Sequence, residues 1–473
     1  MFEKRLVYCK RKPLRARTKS FTRKERSMKK LLVCLLLTAL LGTLIACGDL
    51  SKSDTGKDPK PNDSENNSND GSDPRQPTDC EHDYSKGNTC SLCGEVQPAF
   101  RFEKVENGYK ITGYTTIPSS NLTLPSTYNG ENVVAIGKNA FDYAHLVNVT
   151  IPATITVLED ECFKSSSIQA VTIEGAITQI GSHVFADCDS LKSVTFAEGT
   201  ESIGSYMFYR CFALTDVTLP ESIRTVGMHA FDQCKALSRV SLPGALTLHE
   251  FAFADCLSLR EIALPKLTVL GDRALIGCEA LTALTLPDNI LSIGEGALCD
   301  CTALQQFTVP KSITEIPVLL LAGCTSLEKV ILHDGVTAIG DYAFESSGLR
   351  DFNHPDSNIV SIGTFAFSKC DQLVSVDAGK KLTSIGYGAF EKCTLLETVA
   401  ISEALQQIGE IAFSECTALK SFCIPASTTY VGHSAFEKCS SLISITCGAP
   451  SAPKEWSPIW DKNCSATVTW NVQ

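Results

Sequence analysis

Between residues 136 and 446 the chain repeats one arrangement of apolar and polar positions every 22 or 23 residues. One copy reads Ile203-Gly204, Phe208, Cys211, Leu214, Val217 and Leu219-Pro220; the next reads Val226-Gly227, Phe231, Cys234, Leu237, Val240 and Leu242-Pro243. Aligned on the large apolar position there are 14 copies, at Phe141, Phe163, Phe185, Phe208, Phe231, Phe253, Leu275, Leu298, Leu321, Phe344, Phe367, Phe390, Phe413 and Phe436. Val217 and Leu219 alternate with polar neighbours, which predicts a short strand with one face buried. Pro220 has no N–H to offer a ladder, so the strand stops there. Ile203-Gly204 predicts a turn towards the opposite side, where Gly permits a tight bend or a close approach. Met207-Phe208 then predicts a short helical or irregular segment that carries the large inward side chain. One such unit cannot bury its own apolar face, so a period of this length predicts a solenoid of stacked units. Strands stacked ~4.8 Å apart would form a parallel sheet on the order of 60 Å long.

The string I-G-x-x-A-F-x-x-C-x-x-L-x-x-V-x-L-P is clear at 136–141, 180–220 and 362–373. It resembles the BspA-like leucine-rich repeat family of bacterial surface proteins, and the resemblance covers about two thirds of the chain. That resemblance implies an α/β-type solenoid, a leucine-rich repeat superhelix with a parallel β-sheet on its concave face. It also implies adhesion, by binding host extracellular proteins or neighbouring cells. The departures are Leu275, Leu298 and Leu321 in place of Phe, Pro317 in place of Gly, and Ala144, Ser166 and Ser347 in the cysteine column. They alter local packing and leave the fold expectation in place.

The N-terminus reads as an export signal. Residues 1–27 hold eleven Lys or Arg against Glu3 and Glu25, without apolar periodicity, and read as an over-extended start rather than a genuine basic segment. Met28-Lys29-Lys30, an apolar run to Ile45 and the ending Leu44-Ile45-Ala46-Cys47 describe a signal peptide over 28–46. That ending resembles a bacterial lipobox, with Cys47 as the lipidated residue; an ordinary cleavage site or a retained anchor helix is the alternative. Without its first 46 residues the chain loses Lys29, Lys30 and the excess of 1–27, so its net charge moves from −11 to about −22. Nucleic acid is a poor partner for so acidic a chain, because phosphate binding needs a basic patch.

Residues 47–79 are rich in Ser, Asn, Asp, Lys and Pro and predict a disordered tether, on the order of 30 Å in reach. In 80–97, Cys90-x-x-Cys93-Gly94 resembles a zinc knuckle that Cys80 and His82 could complete as a structural zinc site. A disulfide plus a spare thiol is the rival outside the cytoplasm. Zinc content and thiol oxidation state decide between them. Residues 98–135 predict an N-terminal β-hairpin cap, with Asn107-Gly108 between two alternating runs and Asn129-Gly130 as a second turn. Residues 447–473 abandon the repeat, contain Trp456, Trp460 and Trp470, and predict a C-terminal cap.

Catalytic signatures are missing: there is no G-x-S-x-G, no H-E-x-x-H and no G-x-x-x-x-G-K-[ST], and the reading is not an enzyme. His183, His229 and His433 cluster loosely after the Ile-Gly turn and read as ordinary surface or turn residues. Eleven of the 14 equivalent positions in the cysteine column are Cys, and Ala or Ser fills the rest, so the column reads as buried free thiols in a tight space. Cys447 and Cys464, outside the array, are the expected disulfide.

What remains is surface. The outward strand position is Thr195, Thr218, Thr285 and Thr308 among others, flanked by charges that include Arg239, Arg260 and Glu261. These seven residues are the candidate partner site; the alternative is that Thr merely suits an exposed strand. No aromatic cluster lies on that face. The function read is a lipid-anchored cell-surface adhesin or protein-binding module for extracellular or host-surface proteins or glycans. The competing class is a structural, self-associating envelope protein with no dedicated ligand.

Overall fold

The structure, a computed structural model, describes residues 99–117 and 121–472. Contacts divide the chain between Gln76 and Pro77, and every described residue belongs to the second unit. Cys47, Cys80, His82, Cys90 and Cys93, with the segments expected over 1–97, lie outside the described residues.

Every turn of the array but one contributes two strands. The longer ones, such as Ala170–Ile173, Ser193–Phe196 and Asp216–Thr218, pair in parallel one period apart, with Val171, Val194 and Val217 in register. The shorter ones, Ser202–Ile203, Thr225–Val226 and Thr247–Leu248, pair among themselves in the same way. Two parallel ladders result, broken into runs where hydrogen bonding lapses. One lapse lies beside Thr285, where only an isolated bridge from Ala283 to Gln306 continues the ladder.

The aligned large residues form the core. Phe141, Phe163, Phe185, Phe208, Phe231 and Phe253 are fully buried and stack ring on ring, with centroids 4.8 to 5.7 Å apart. Leu275, Leu298 and Leu321, equally buried, interrupt this stack. It resumes from Phe344 to Phe436 at spacings of 5.1 to 5.4 Å. Each buried ring contributes roughly 1.5–3 kcal/mol, and each needs a neighbouring turn on both faces to do so.

The expected α/β character is corrected: among the described residues there is no helix. The segment around each Phe is instead a pair of turns with left-handed residues two positions before and two after it, as at Tyr206 (φ 56°) and Arg210 (φ 58°) around Phe208. That alternation aims the N–H groups of Tyr206, Phe208 and Arg210 at the next turn, where Met228, Ala230 and Asp232 accept at 2.8 to 2.9 Å. The N–H groups in between close short local turns, Met207 to Gly204 and Tyr209 to Tyr206. A helix would direct these donors along its own axis and leave the stacking direction unbonded.

At the N-terminal end, β1 (Ala99–Val105) and β2 (Gly108–Thr116) form the expected antiparallel hairpin, closed by Val105 opposite Gly108. The two-residue loop is thus Glu106-Asn107, one position earlier than the Asn-Gly signal implies. Gly108 is needed for approach, because a Cβ there would lie 2.1 Å from the Asn132 carbonyl oxygen. β3 (Asn121–Thr123) joins the long-strand ladder in register with Asn148–Ile151. β4 (Thr127–Tyr128) and β5 (Glu131–Ile136) flank Asn129-Gly130, both at positive φ, so the second expected turn is present. β2 pairs in parallel with β5, and Tyr114 stacks on Phe141 at 5.7 Å, prolonging the aromatic column.

The C-terminal segment extends the repeat instead of abandoning it. Thr467–Trp470 pairs in parallel with Ser444–Cys447, and the Ser434 and Lys438 amides donate to Ile459 and Asn463 as in every earlier turn. Trp460 meets Phe436 edge-on at 5.9 Å, in the place of the next Phe. The expected Cys447–Cys464 disulfide is absent: both are free thiols. Cys447 lies on a strand beside Ile424 and Trp470, whereas Cys464 continues the thiol column next to Cys439, so the two occupy different columns of the last turn.

Candidate binding face

The long-strand ladder presents a row of side chains whose spacing the backbone dictates. Thr195 and Thr218 sit in register on neighbouring strands, as do Arg239 and Glu261. All seven residues singled out from the sequence, Thr195, Thr218, Arg239, Arg260, Glu261, Thr285 and Thr308, are exposed. Their inward neighbours Val194, Val240, Ile262 and Phe307 are buried. The alternation that predicted a one-faced strand therefore orients these side chains outward.

Arg239 and Glu261 approach to 3.5 Å across the ladder, with side chains 80% and 67% exposed. A pair that open is worth little in stability, about 0–1 kcal/mol, so its charges stay accessible to a partner. The outward column is Thr or Ser from Thr150 to Ser241, and again at Thr285 and Thr308. Its hydroxyls carry no net charge and lie between Arg260, Glu261 and the other charged flanks. Ladder bonding lapses at Ala283 and also between Thr218 and Arg239, so Thr195 with Thr218, Arg239 with Glu261, and Thr308 sit on three separate runs, and Thr285 lies outside any strand.

The short-strand ladder contrasts with this face. Arg224, beside it, donates from Nη1 to the carbonyls of Glu221 and Gly244, both at 3.1 Å, and is thereby tied into the turn. Clefts elsewhere are open to solvent, from about 210 Å3 beside His333 and His354 to about 380 Å3 beside Asp377 and Lys380. Among the described residues no group of three or more His, Cys, Asp or Glu is placed to hold a metal ion.

Two features escaped the sequence reading. Each column thiol donates to the carbonyl of the large residue one turn back, for example Cys211 to Phe185 at 3.1 Å and Cys301 to Leu275 at 3.3 Å. His183 and His229 are not isolated: they stack with Tyr206 and Phe251 at the left-handed position before each Phe. His433 occupies a different column, one residue before the left-handed Ser434. Reading the position two before each Phe as its own column would have found the stack.

Comparison with known proteins is consistent with this geometry. A family model described as a BspA type leucine rich repeat region (6 copies) matches residues 114–238, 227–350 and 337–452. Among solved structures, a leucine-rich repeat protein from Bacteroides ovatus is 21% identical, with 80% of this chain and 98% of that one covered and a TM-score of 0.55. A leucine rich cell surface protein from Faecalibacterium prausnitzii is also 21% identical, covering 79% and 94% of the two chains at a TM-score of 0.34. The leucine rich repeat protein of T. pallidum covers 51% and 83% at 21% identity and a TM-score of 0.24. Only the first of these likenesses bears on the fold, and it bears on the fold alone. No curated protein matches the chain.

Proposed function

Because the chain belongs to the BspA-type leucine-rich repeat family, we propose that it is a cell-surface binding module. In this reading its long-strand face engages an extended polar partner, an extracellular or host-surface protein or glycan. The observation that carries the proposal is the exposed row around Thr195, Thr218, Arg239, Arg260, Glu261, Thr285 and Thr308, in register at Thr195 with Thr218 and at Arg239 with Glu261. Side chains repeating at strand spacing let many weak contacts add along the stack. Mixed charge beside a neutral hydroxyl column selects for polar partners and sets orientation more than raw affinity.

The test is binding of the purified chain to immobilised extracellular-matrix proteins and glycans. Replacing Arg239, Arg260 and Glu261 together by Ala should weaken binding tenfold or more, about 1.4 kcal/mol, with an unchanged thermal transition. Substituting Gln179, Glu315 and Gln407 on the short-strand ladder should leave it intact. Equal losses from both sets would remove the strand face as the site. Failure to bind anything, together with concentration-dependent self-association, would favour a structural envelope role.

The same proposal places the module on a lipid anchor at Cys47, from the Leu44-Ile45-Ala46-Cys47 sequence. Two membrane signals hold more firmly than one acyl chain, and a diacylated cysteine supplies two. Cys47→Ser should abolish incorporation of labelled fatty acid and move the protein from the membrane fraction to the soluble one. Undiminished labelling in that variant would rule this anchor out.

A further inference from the structure

The left-handed position two residues before each Phe carries, on consecutive turns, His183, Tyr206, His229, Phe251 and Arg273, with φ between 53° and 59°. The first four rings stack face to face with centroids 4.4, 4.6 and 4.6 Å apart and planes within 15° of parallel. The Arg273 guanidinium, 5.9 Å from the Phe251 ring, covers the end of the stack. Tyr209 stands across the stack, nearly perpendicular to Tyr206 and His229 at 5.7 and 6.5 Å. Met228 is 38% exposed beside it, its sulfur 4.0 Å from the Tyr206 hydroxyl. Tyrosine, aromatic, Met and Arg side chains in one patch are the composition of protein–protein hot spots. This patch lies on the turn segments, outside the strand face proposed above.

Its chemistry selects among occupants. Within the stack each ring face is already covered by the next ring, so a sugar has little aromatic face to lie on. Charge points towards cations. Asp160, Asp187, Asp232 and Glu250 surround the stack. Asp232 is buried and bonds the His229 ring at 2.6 Å, and Arg210 engages Asp187 at 3.4 Å, whereas among the described residues no Lys or Arg pairs with the exposed Asp160 and Glu250. Burial, then Asp232 and Glu250, pushes the Tyr206 phenol up, and burial, then Asp232, does the same at Tyr209. Both phenols thus sit in a negative field. One cation–ring contact lies at the stack itself, Arg273 over Phe251, so one of its rings already faces a cation.

We propose that the His183–Tyr206–His229–Phe251 stack, with Tyr209, is a second docking surface, for a polypeptide segment that presents arginine or lysine side chains. Guanidinium groups pair with Asp160 and Glu250, while the aliphatic stems lie along the ring edges and Met228.

The test uses the full chain and a fluorescein-labelled Gly-Arg-Ser repeat peptide, followed by fluorescence polarisation at physiological ionic strength. There, exposed charges beyond ~8 Å are screened. The peptide should bind, and the same peptide with citrulline for arginine should not. Tyr206→Asn with His229→Asn, two substitutions that suit left-handed backbone, should weaken binding at least tenfold. The Ala triple at Arg239, Arg260 and Glu261 should leave it unchanged, which separates this surface from the strand face. Peptide should also protect Tyr206 and Tyr209 of the unaltered chain from N-acetylimidazole, a readout that needs no variant. Equal binding of the citrulline peptide, no binding of the arginine peptide or unprotected tyrosines would each overturn the proposal. Protection that instead rises with concentration of the chain alone would assign the surface to a second copy, and would overturn it too.

Discussion

The cysteine column shows how a residue type can be selected by a single bond. In the eleven turns that carry it, the sulfur lies 3.0 to 3.3 Å from the main-chain carbonyl of the large residue one turn back. The site therefore asks for a small side chain and accepts a weak donor, and thiol meets both conditions at little desolvation cost. Ser166 and Ser347, at the same position, instead contact the thiols of Cys188 and Cys370 at 3.3 and 3.4 Å. Burial pushes Cys211, Cys234, Cys278 and Cys324 well above the ordinary thiol value, and Cys188 to about 11. A thiol whose native value is raised stabilises the fold fully below its unfolded value near 9, and that stabilisation is lost as pH climbs towards the native value. Each such thiol should cost about 1.4 kcal/mol per pH unit in that window. Urea midpoints of the native chain should fall steeply above pH 9. With Cys234, Cys278 and Cys324 changed to Ala, the slope should be shallower by the three protons removed. An unchanged slope would mean that these thiols ionise in the folded state.

At the scale of one turn, the determining feature is the pair of left-handed residues flanking each Phe. Non-glycine residues rarely adopt positive φ, yet 24 do so in these two columns, joined by Gly277, Gly296, Gly323 and Gly388. The cost is met by the bonds that alternation permits to the next turn, such as Phe231 to Ala252 and Gln233 to Ala254, both at 2.8 Å. Asn, Asp, Ser, Lys and aromatic residues occupy these positions; the sole β-branched occupant is Ile411, at φ 49°. A β-branched side chain is the most strained choice there. Ile411→Asn should therefore stabilise by roughly 0.5–1 kcal/mol, and Gln233→Ile should cost about 1–2 kcal/mol, both read from denaturant midpoints. A destabilising Ile411→Asn would show that Ile411 makes compensating contacts. The apolar spacing alone could not separate this turn pair from a short helix, because both place one large side chain inward per unit.

At the scale of the whole array, stability is carried between neighbours, so the ends matter most. Tyr114 lies against Phe141 at one end and Trp460 against Phe436 at the other, each standing where the repeat would place its next large residue. Trp456 meets Trp460 at 5.4 Å and donates its indole N–H to the Thr428 carbonyl, joining the last turn to the body of the array. Trp460→Ala should cost about 3–5 kcal/mol by the usual large-to-small penalty, confined to the C-terminal turns. Because the only tryptophans are Trp456, Trp460 and Trp470, fluorescence reports that end specifically. In the variant the fluorescence transition should precede the loss of far-UV circular dichroism, whereas coincident, unshifted transitions would mean that Trp460 adds nothing to the array.

The sequence by itself determined the architecture, since a period of 22 or 23 residues with a fixed order of Phe, Cys, Leu and Val positions leaves stacking as the only way to bury every turn. It also determined which strand residues point outward, because side chains alternate along a strand. Only the tertiary structure decided what depends on contacts between turns. The helical expectation failed because the donors serve the neighbouring turn and not their own. The Cys447–Cys464 pairing failed because the last segment winds once more and separates the two sulfurs into different columns. The stack of His183, Tyr206, His229 and Phe251 was unreadable for the same reason: residues 22 or 23 positions apart become ring-to-ring neighbours only when the turns are laid one on another.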